Sequence, residues 1–233
     1  EFDHCINHNV NICEGKQLYE EKITMTITEK YKIYRKTSTE LNHKIIDACL
    51  EREVLMKSAR LLGILHGDTL IFDSEDETSV LMDFTLNEYK VNSRNTIEVY
   101  REKIGWQSEI EKDILDALLS SYTSLFRITS ISEVENTLIL YDILNEKDRI
   151  KLIDIALSES AIPGLLLFIR LVSFKDFSMT SGISFVFPGN LEKYLVKRYR
   201  KLSKKVKSDS ESIKRFVSFF RLNKTDGIEV RYE

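Results

Sequence analysis

The sequence has few of the residues that mark several classes of protein. Its 233 residues include three cysteines, two prolines and eight glycines. Three scattered cysteines are too few for a disulfide framework, and so little proline and glycine excludes a long flexible linker or a low-complexity tract. No apolar run approaches the roughly 20 residues that span a bilayer, and no basic patch followed by an apolar segment opens the chain. We therefore expect a cytoplasmic protein with no membrane partner.

The residues that are present are those of an ordinary globular protein, since 42% are hydrophobic and 30% are charged. The charge is unevenly distributed. The segment from Lys193 to Lys224 holds twelve Lys or Arg residues but only Asp209 and Glu211, which gives it a net charge of +10. Because the whole chain carries −3, the remainder carries −13. The pattern predicts an acidic body with a basic C-terminal region.

The N-terminal half predicts a mixture of strands and helices. Alternating apolar and threonine side chains at residues 21–33 are typical of a strand. Thr37 and Glu40 fit a capping box, and helical spacing continues to Gly63, which predicts a helix. Residues 69–72 and 80–84 flank an acidic segment and favour a hairpin, although the second run also fits the start of a helix. Further helices are expected at 94–104 and 108–121, with Ser108 and Glu111 as a capping box.

The C-terminal half begins with short strands, which are expected at 125–131, 137–144 and 151–156. A buried strand at 165–172 and its partner at 183–187 form the centre around which we expect the chain to be organised. Asn190 is a suitable N-cap for the next helix, and residues 209–222 predict a last helix. Ile228, Val230 and Tyr232 alternate as in a terminal strand.

These elements predict an α+β fold. We expect an N-terminal strand-helix-hairpin portion, a helical middle, a small β-barrel-like unit and a C-terminal helical pair. The corresponding boundaries are 1–122 for the N-terminal α+β region, 123–189 for the barrel-like unit and 190–233 for the basic helical extension. The alternative is that all three form one compact domain.

Several phrases between Val80 and Pro188 are similar to a group of bacterial proteins. They are residues 80–84 (VLMDF), 118–126 (LLSSYTSLF), 141–144 (YDIL), 162–164 (IPG), 170–171 (RL) and 177–182 (FSMTSG). The chain thereby resembles uncharacterised bacterial proteins that often carry a SEC-C motif, the zinc-binding element also found in the tail of the SecA translocation motor. The resemblance implies a shared fold more than a shared chemistry. The cysteine motif that defines SEC-C is absent here.

A possible metal site lies near the N-terminus, where His4, Cys5, His8 and Cys13 fall close together. Thiolates and imidazoles are the ligands that zinc prefers, so these four residues are the candidate metal ligands. Their spacing matches no standard zinc pattern, and a plain terminal segment is the alternative. No other cofactor is expected.

An acidic segment supplies the candidate for catalysis. Asp73, Glu75, Asp76 and Glu77 carry carboxylates of the kind that hold magnesium in nucleases and hydrolases. A solvated turn explains the same residues without any ion. Because no Gly-rich phosphate loop or Gly-x-Ser-x-Gly motif accompanies them, we expect a protein that is not an enzyme, with a metal-dependent hydrolase or nuclease as the alternative.

Arg170 lies within the most apolar strand. If its side chain points inward, it needs a carboxylate partner, and Asp142, Asp154 and Asp176 are the candidates. A structural ion pair is the interpretation we favour. The alternatives are a binding site for an anionic ligand and a position at a rim or solvent face, where Arg170 would have no special role.

The basic ridge is the strongest surface signal. From Lys193 onward, basic residues alternate with an apolar stripe at helical spacing, which predicts a helix that packs on the body and turns its charge outward. Such a ridge attracts phosphate backbones, and Tyr199 is a candidate for stacking. The alternative is a solvated face. The candidate nucleic-acid-binding residues are Lys197, Arg198, Arg200, Lys201, Lys204, Lys205 and Lys207.

The sequence therefore predicts a non-enzymatic binding or adaptor module of a larger bacterial assembly. We expect a protein partner at the barrel-like unit and RNA or DNA at the basic helix. The oligomeric state is left open.

Overall fold

The computed structural model describes residues 25–228, and it begins with two helices. Helix α1 spans Ile27–Cys49 and helix α2 spans Arg52–Leu62. The predicted strand is wrong over the described residues 25–33, and the predicted helix start at Thr37 is wrong because Thr37 lies inside α1. The real start is at Thr26, whose side chain forms a capping box with Glu29.

The helical period of α1 explains this outcome. Its buried side chains Tyr31, Tyr34, Leu41 and Ile45 are spaced as on one face of a helix. They join a hydrophobic cluster that includes residues of three later helices. This long-range burial outweighs the local alternation of apolar and threonine residues, because a helix gains most of its stability from tertiary packing.

The acidic segment leads into a helix rather than a hairpin. Strands β1, Leu65–His66, and β2, Thr69–Leu70, form a two-residue ribbon, and helix α3 follows at Asp76–Asn87. The predicted pairing of residues 69–72 with 80–84 is therefore wrong. Val80, Leu81 and Phe84 are buried at helical spacing, and the acidic residues at the start of α3 suit the positive end of its dipole.

The helical middle matches the sequence closely. Helix α4 spans Thr96–Lys103 and helix α5 spans Glu109–Leu119, which confirms both predicted helices. Ser108 is the N-cap of α5 as predicted, since its hydroxyl accepts a hydrogen bond from the backbone of Glu111. The predicted capping box is incomplete, because the Glu111 carboxylate accepts from the backbone N–H of Gln107 at 2.6 Å instead.

Five longer strands follow and close on one another. They are β3, Tyr122–Ser132; β4, Thr137–Asp142; β5, Lys147–Ile153; β6, Leu166–Ser173; and β7, Ser178–Phe187. The order around the closed barrel is β3-β4-β5-β7-β6. All neighbours are antiparallel except β5 and β7, which are parallel and pair at Leu152 and Ser178. Helix α6, Ile155–Ser160, connects β5 to β6 and adds Leu157 to the apolar cluster inside the barrel. The α+β class is confirmed.

Two helices end the described chain. A 3₁₀ turn at Gly189–Leu191 leads into helix α7, Glu192–Leu202, and helix α8 spans Glu211–Asp226. Asn190 is therefore not the predicted N-cap, because it lies within the 3₁₀ turn and Leu191 occupies the cap position. Of the predicted terminal strand, Ile228 forms a bridge to Val186, and Val230 and Tyr232 lie outside the described residues.

The barrel wall has two contrasting halves. The closed wall consists of the outward-facing side chains of β6 and β7, which are buried beneath helices: Leu166, Phe168, Arg170, Ile183 and Phe185. The open wall consists of outward-facing side chains of β3, β4 and β5, which are exposed or half-buried: Arg127, Ile139, Tyr141, Arg149 and Lys151. Strand alternation separates both sets from the apolar barrel interior.

Side chains from the N-terminal region, the barrel and the C-terminal helices pack together on the closed wall. Its main cluster combines Phe84 of α3, Phe168 of β6 and Phe216 and Phe219 of α8, and the rings of Phe168 and Phe219 stack with centroids 4.4 Å apart. Over residues 25–228, no helix has the length and apolar character required to cross a bilayer.

Candidate nucleic-acid interface

Helix α7 places its basic residues on one face because its apolar residues are held by the core. Leu195 is fully buried, and Leu191, Val196, Tyr199 and Leu202 pack at the edge of the closed-wall cluster. The basic side chains of the ridge are thereby turned outward, and all seven predicted nucleic-acid-binding residues are exposed. The predicted separation of an apolar stripe from a charged ridge is present in the structure.

A groove runs along this face of α7. It has a volume of about 470 Å³ and is lined by Ile143, Glu192, Lys193, Val196, Lys197, Arg200, Lys201 and Lys204. Ile143 comes from the turn between β4 and β5, so the barrel supplies the opposite side. The basic residues recur every three or four positions, with Arg200 and Lys201 adjacent, which places them on one side of α7 and of the 3₁₀ turn that follows it. We call this feature the α7 groove.

The α7 groove keeps its positive charge. Its one carboxylate, Glu192, accepts a hydrogen bond from Nη1 of Arg127 at 2.8 Å and is therefore already paired with the barrel. Within residues 25–228, no carboxylate oxygen lies within 4.0 Å of any of the seven predicted side chains. Like charges held this close together favour binding of an anion.

The predicted residues divide into two sets. Lys197, Arg200, Lys201 and Lys204 line the α7 groove, and Lys193 adds a fifth charge. The other three predicted residues, Arg198, Lys205 and Lys207, are exposed but lie outside it. A helical-wheel argument alone did not separate these two sets, because the barrel side of the groove is remote in sequence.

The stacking role of Tyr199 stays a prediction, but one face of its ring is already occupied. Its ring stacks on Phe219 with centroids 5.2 Å apart and forms part of the core edge. Tyr194, one turn earlier, is 42% exposed. Near the groove, Tyr141 of the open wall was also missed. The guanidinium of Arg127 lies 5.2 Å from the centroid of its ring, in a cation–π contact.

The acidic segment forms ion pairs with Lys224 of α8. Nζ of Lys224 lies 2.7 Å from Asp73 and 2.8 Å from Glu77. The hydrogen bond from Lys224 holds the pKa of Asp73 below its usual value. Glu77 is buried and also accepts from the backbone N–H of Asp73. Two of the four candidate carboxylates therefore have an ammonium partner, and within residues 25–228 no three metal-ligating side chains converge.

Arg170 is buried in an ion-pair network, but with partners other than those proposed. Its guanidinium Nη2 lies 2.7 Å from Glu88 and 3.0 Å from Asp83, and all three side chains are less than 10% exposed. Burial alone would lower the pKa of Arg170, but the two carboxylates outweigh it and hold that pKa above its usual value. Strand β6 supplies the arginine, α3 supplies Asp83, and Glu88 is the C-cap residue of α3.

The three proposed partners of Arg170 have other roles. Asp142 accepts hydrogen bonds from Tyr122, Ser124 and Asn145, while Asp154 caps α6 and Asp176 pairs with Lys30. The sequence could not identify Asp83, because it lies 87 residues from Arg170. The candidate zinc ligands His4, Cys5, His8 and Cys13 lie outside the described residues.

Comparison with known proteins gives a family but no activity. The model of one family, described as a family of unknown function, matches residues 25–233. No curated protein and no solved structure matches the chain. The match includes the whole barrel, α7 and α8, so the elements that form the α7 groove belong to the family's own unit.

Proposed function

The chain belongs to DUF7986, a family of unknown function, and from that premise we propose that it is a non-enzymatic nucleic-acid-binding module. In this proposal, the phosphate backbone lies in the α7 groove. The observation that carries the proposal is that five basic side chains line one groove whose single carboxylate is paired with Arg127.

The physical basis is the exchange of counterions for protein charges. Each phosphate that a Lys or Arg contacts releases condensed cations, so affinity falls steeply with salt. Five contacts correspond to a slope of log affinity against log salt of about −3.5 for a single strand and about −4.5 for a duplex. Lysine suits this role because its ammonium contacts a phosphate as a point charge without demanding a fixed geometry.

The barrel supports the proposal by analogy of fold. A five-stranded Greek-key barrel is the architecture of the OB-fold, in which oligonucleotides bind on the second and third strands. In this chain those strands are β4 and β5, and their turn supplies Ile143 to the α7 groove. The analogy concerns architecture, so the argument for function rests on the side chains of the site.

The competing hydrolase has less support. Its acidic segment was expected on a hairpin tip, but Asp73 and Glu77 share the Lys224 ammonium. We propose instead that the chain contributes binding to a larger cytoplasmic bacterial assembly, in which other components supply any chemistry.

The test compares two charge reversals in one helical segment. The first variant combines Lys197→Glu, Lys201→Glu and Lys204→Glu, all in the α7 groove. The matched control combines Arg198→Glu, Lys205→Glu and Lys207→Glu, which are exposed and outside it. Both change the net charge equally. Binding of labelled single-stranded and duplex oligonucleotides is measured by fluorescence anisotropy over about 50–200 mM salt.

We expect the groove variant to lose about 10-fold or more in affinity and to flatten the salt slope by about 2–3 units. The control variant should lose clearly less. Because all six side chains are exposed, we expect both variants to keep the wild-type unfolding midpoint. Equal losses in the two variants, or wild-type binding that does not change with salt, would contradict the proposal.

A further inference from the structure

The open wall is the part of the barrel that helices leave uncovered. On β6 every residue from Leu166 to Val172 is buried, whereas Lys147, Asp148, Arg149 and Lys151 of β5 are exposed. Antiparallel sheets commonly keep one face in solvent, so the case for a binding surface depends on which side chains that face carries. The side chains on this wall are mainly basic and aromatic.

Tyr141 and Arg127 form the centre of the open wall. They are direct cross-strand partners on β4 and β3, and the guanidinium lies 5.2 Å from the ring centroid. The ring is half-buried and Arg127 is 41% exposed. Tyrosine rings and guanidinium planes are the two side-chain surfaces on which unpaired bases stack.

A β-bulge places a further positive charge beside this pair. The register between β4 and β5 shifts between Leu140 and Asp142, so β5 carries one extra residue opposite Tyr141. Arg149 lies in that bulge with φ of +56°, a left-handed conformation that is unfavourable for a residue other than glycine. Its side chain is exposed, and no carboxylate of residues 25–228 forms an ion pair with it. Bulges of this kind redirect side chains next to functional sites.

The open wall and the α7 groove are physically continuous. Arg127 bonds Glu192, which lines the groove, and it lies against Tyr141 on the wall. Ile143 of the groove follows Tyr141 by two residues. The Tyr141–Arg127 pair is therefore linked to the lining of the α7 groove through Glu192.

We propose that the open wall is a second subsite, which takes unpaired bases of a single-stranded nucleic acid whose phosphates lie in the α7 groove. This inference rests on the proposed function and adds the class of ligand. A duplex offers phosphates to the lysines but keeps its base faces inside the stack, so it has nothing to place on Tyr141. In a single strand, the bases are free to stack on the ring and the guanidinium.

The experiment uses the full chain and three labelled oligonucleotides: uridine and thymidine homopolymers of about 15 nucleotides and a duplex of similar length. The variants are Tyr141→Ala, Tyr141→Phe, which keeps the aromatic face, and Tyr194→Ala as a control for an exposed tyrosine outside the wall. Affinity and salt slope are measured for each, with thermal unfolding as a check of folding.

We expect Tyr141→Ala to weaken single-strand binding about 10-fold, because one stacked base is lost, and to leave the salt slope unchanged, because stacking is not ionic. Tyr141→Phe and Tyr194→Ala should bind like the wild type, and duplex binding should not respond to Tyr141→Ala.

The two proposals fail in different ways. If the groove charge reversals abolish binding but Tyr141→Ala has no effect on single strands, the subsite is wrong and the proposed function stands. The subsite is also wrong if Tyr141→Ala weakens duplex and single strand equally. If no oligonucleotide binds the wild type, or the groove reversals change nothing, both proposals are wrong.

Discussion

The closed and open walls belong to one barrel, yet they differ in almost every physical respect. Phe168 on the closed wall stacks on Phe219 of α8, while Tyr141 on the open wall has only Arg127 against its ring among the aromatic and cation–π contacts of residues 25–228. The charges differ too, since Arg170 is buried with two acids and Arg149 is exposed. The comparison teaches that the helices stabilise one wall and leave the other available for a ligand.

Arg170→Ala is the substitution expected to lower the stability of the protein most. It leaves Asp83 and Glu88 buried without their common partner, so the free energy of unfolding should fall by about 3–5 kcal/mol. Urea denaturation followed by circular dichroism measures the loss. On the open wall, Lys151→Ala removes only a half-exposed pair with Glu135 and should cost less than about 1 kcal/mol.

A triple replacement separates charge from packing in this network. Arg170→Met combined with Asp83→Leu and Glu88→Met removes all three charges, and it should recover most of the lost stability because no unpaired charge remains. Similar losses from Arg170→Ala and Lys151→Ala would show that the two walls do not differ in the way we describe.

Tyr34→Phe should lower the free energy of unfolding by an intermediate amount, and this loss should depend on pH. Tyr34 of α1 packs against Phe174 and Phe177 in the turn between β6 and β7, and its hydroxyl donates to Asp113 at 2.9 Å. Burial, the hydrogen bond and nearby acids raise the pKa of Tyr34 to about 12. Loss of the hydrogen bond should cost about 1 kcal/mol at pH 7.

The sign of the pH dependence follows from the raised pKa. The phenol ionises near pH 10 in the unfolded chain and near pH 12 in the folded chain, so its contribution is fully present below pH 10 and is lost between pH 10 and pH 12. Between pH 10 and pH 12, the free energy of unfolding should therefore fall less steeply with pH in Tyr34→Phe than in the wild type. Parallel curves would contradict the role of this hydroxyl.

The smallest expected effect comes from one substitution made on both walls. Ile183 faces outward on β7 and is 5% exposed, whereas Ile139 faces outward on β4 and is half-buried. Ile183→Val should cost about 1 kcal/mol and Ile139→Val less than about 0.5 kcal/mol. Thermal unfolding of the two variants measures the difference between their stability losses. A larger loss for Ile139→Val than for Ile183→Val would mean that the helices do not pack on β7 as described.

The sequence predicted those elements whose signals are local. Ser108 and the apolar stripe after it identify α5, and the strands of the barrel stand out because turns separate them. The N-terminal part of α1, before Thr37, was missed because its buried side chains Tyr31 and Tyr34 are held by packing against elements that are remote in sequence, including α4 and α5. The predicted hairpin failed for a related reason, since Val80 and Phe84 gain more from burial on the closed wall than from pairing with residues 69–72.

The candidate site shows the same limit. The basic ridge of α7 was predictable because its period is local, and its exposed residues are those expected. The groove was not, because Ile143 and the Arg127–Glu192 pair come from remote strands. The packing of Tyr199 on Phe219 was not predictable either, because an aromatic residue next to lysines gives no local sign of such a contact.

The parallel contact between β5 and β7 has a further consequence. It joins the barrel through the single partner pair Leu152 and Ser178, while β6 and β7 share seven such pairs. We expect the barrel to open first between β5 and β7, where the fewest residues are paired. Backbone amides of β5 should therefore exchange with solvent sooner than those of β6. Since β5 also bears Arg149, we expect the part of the barrel that opens most readily to border the surface on which the bases are proposed to stack.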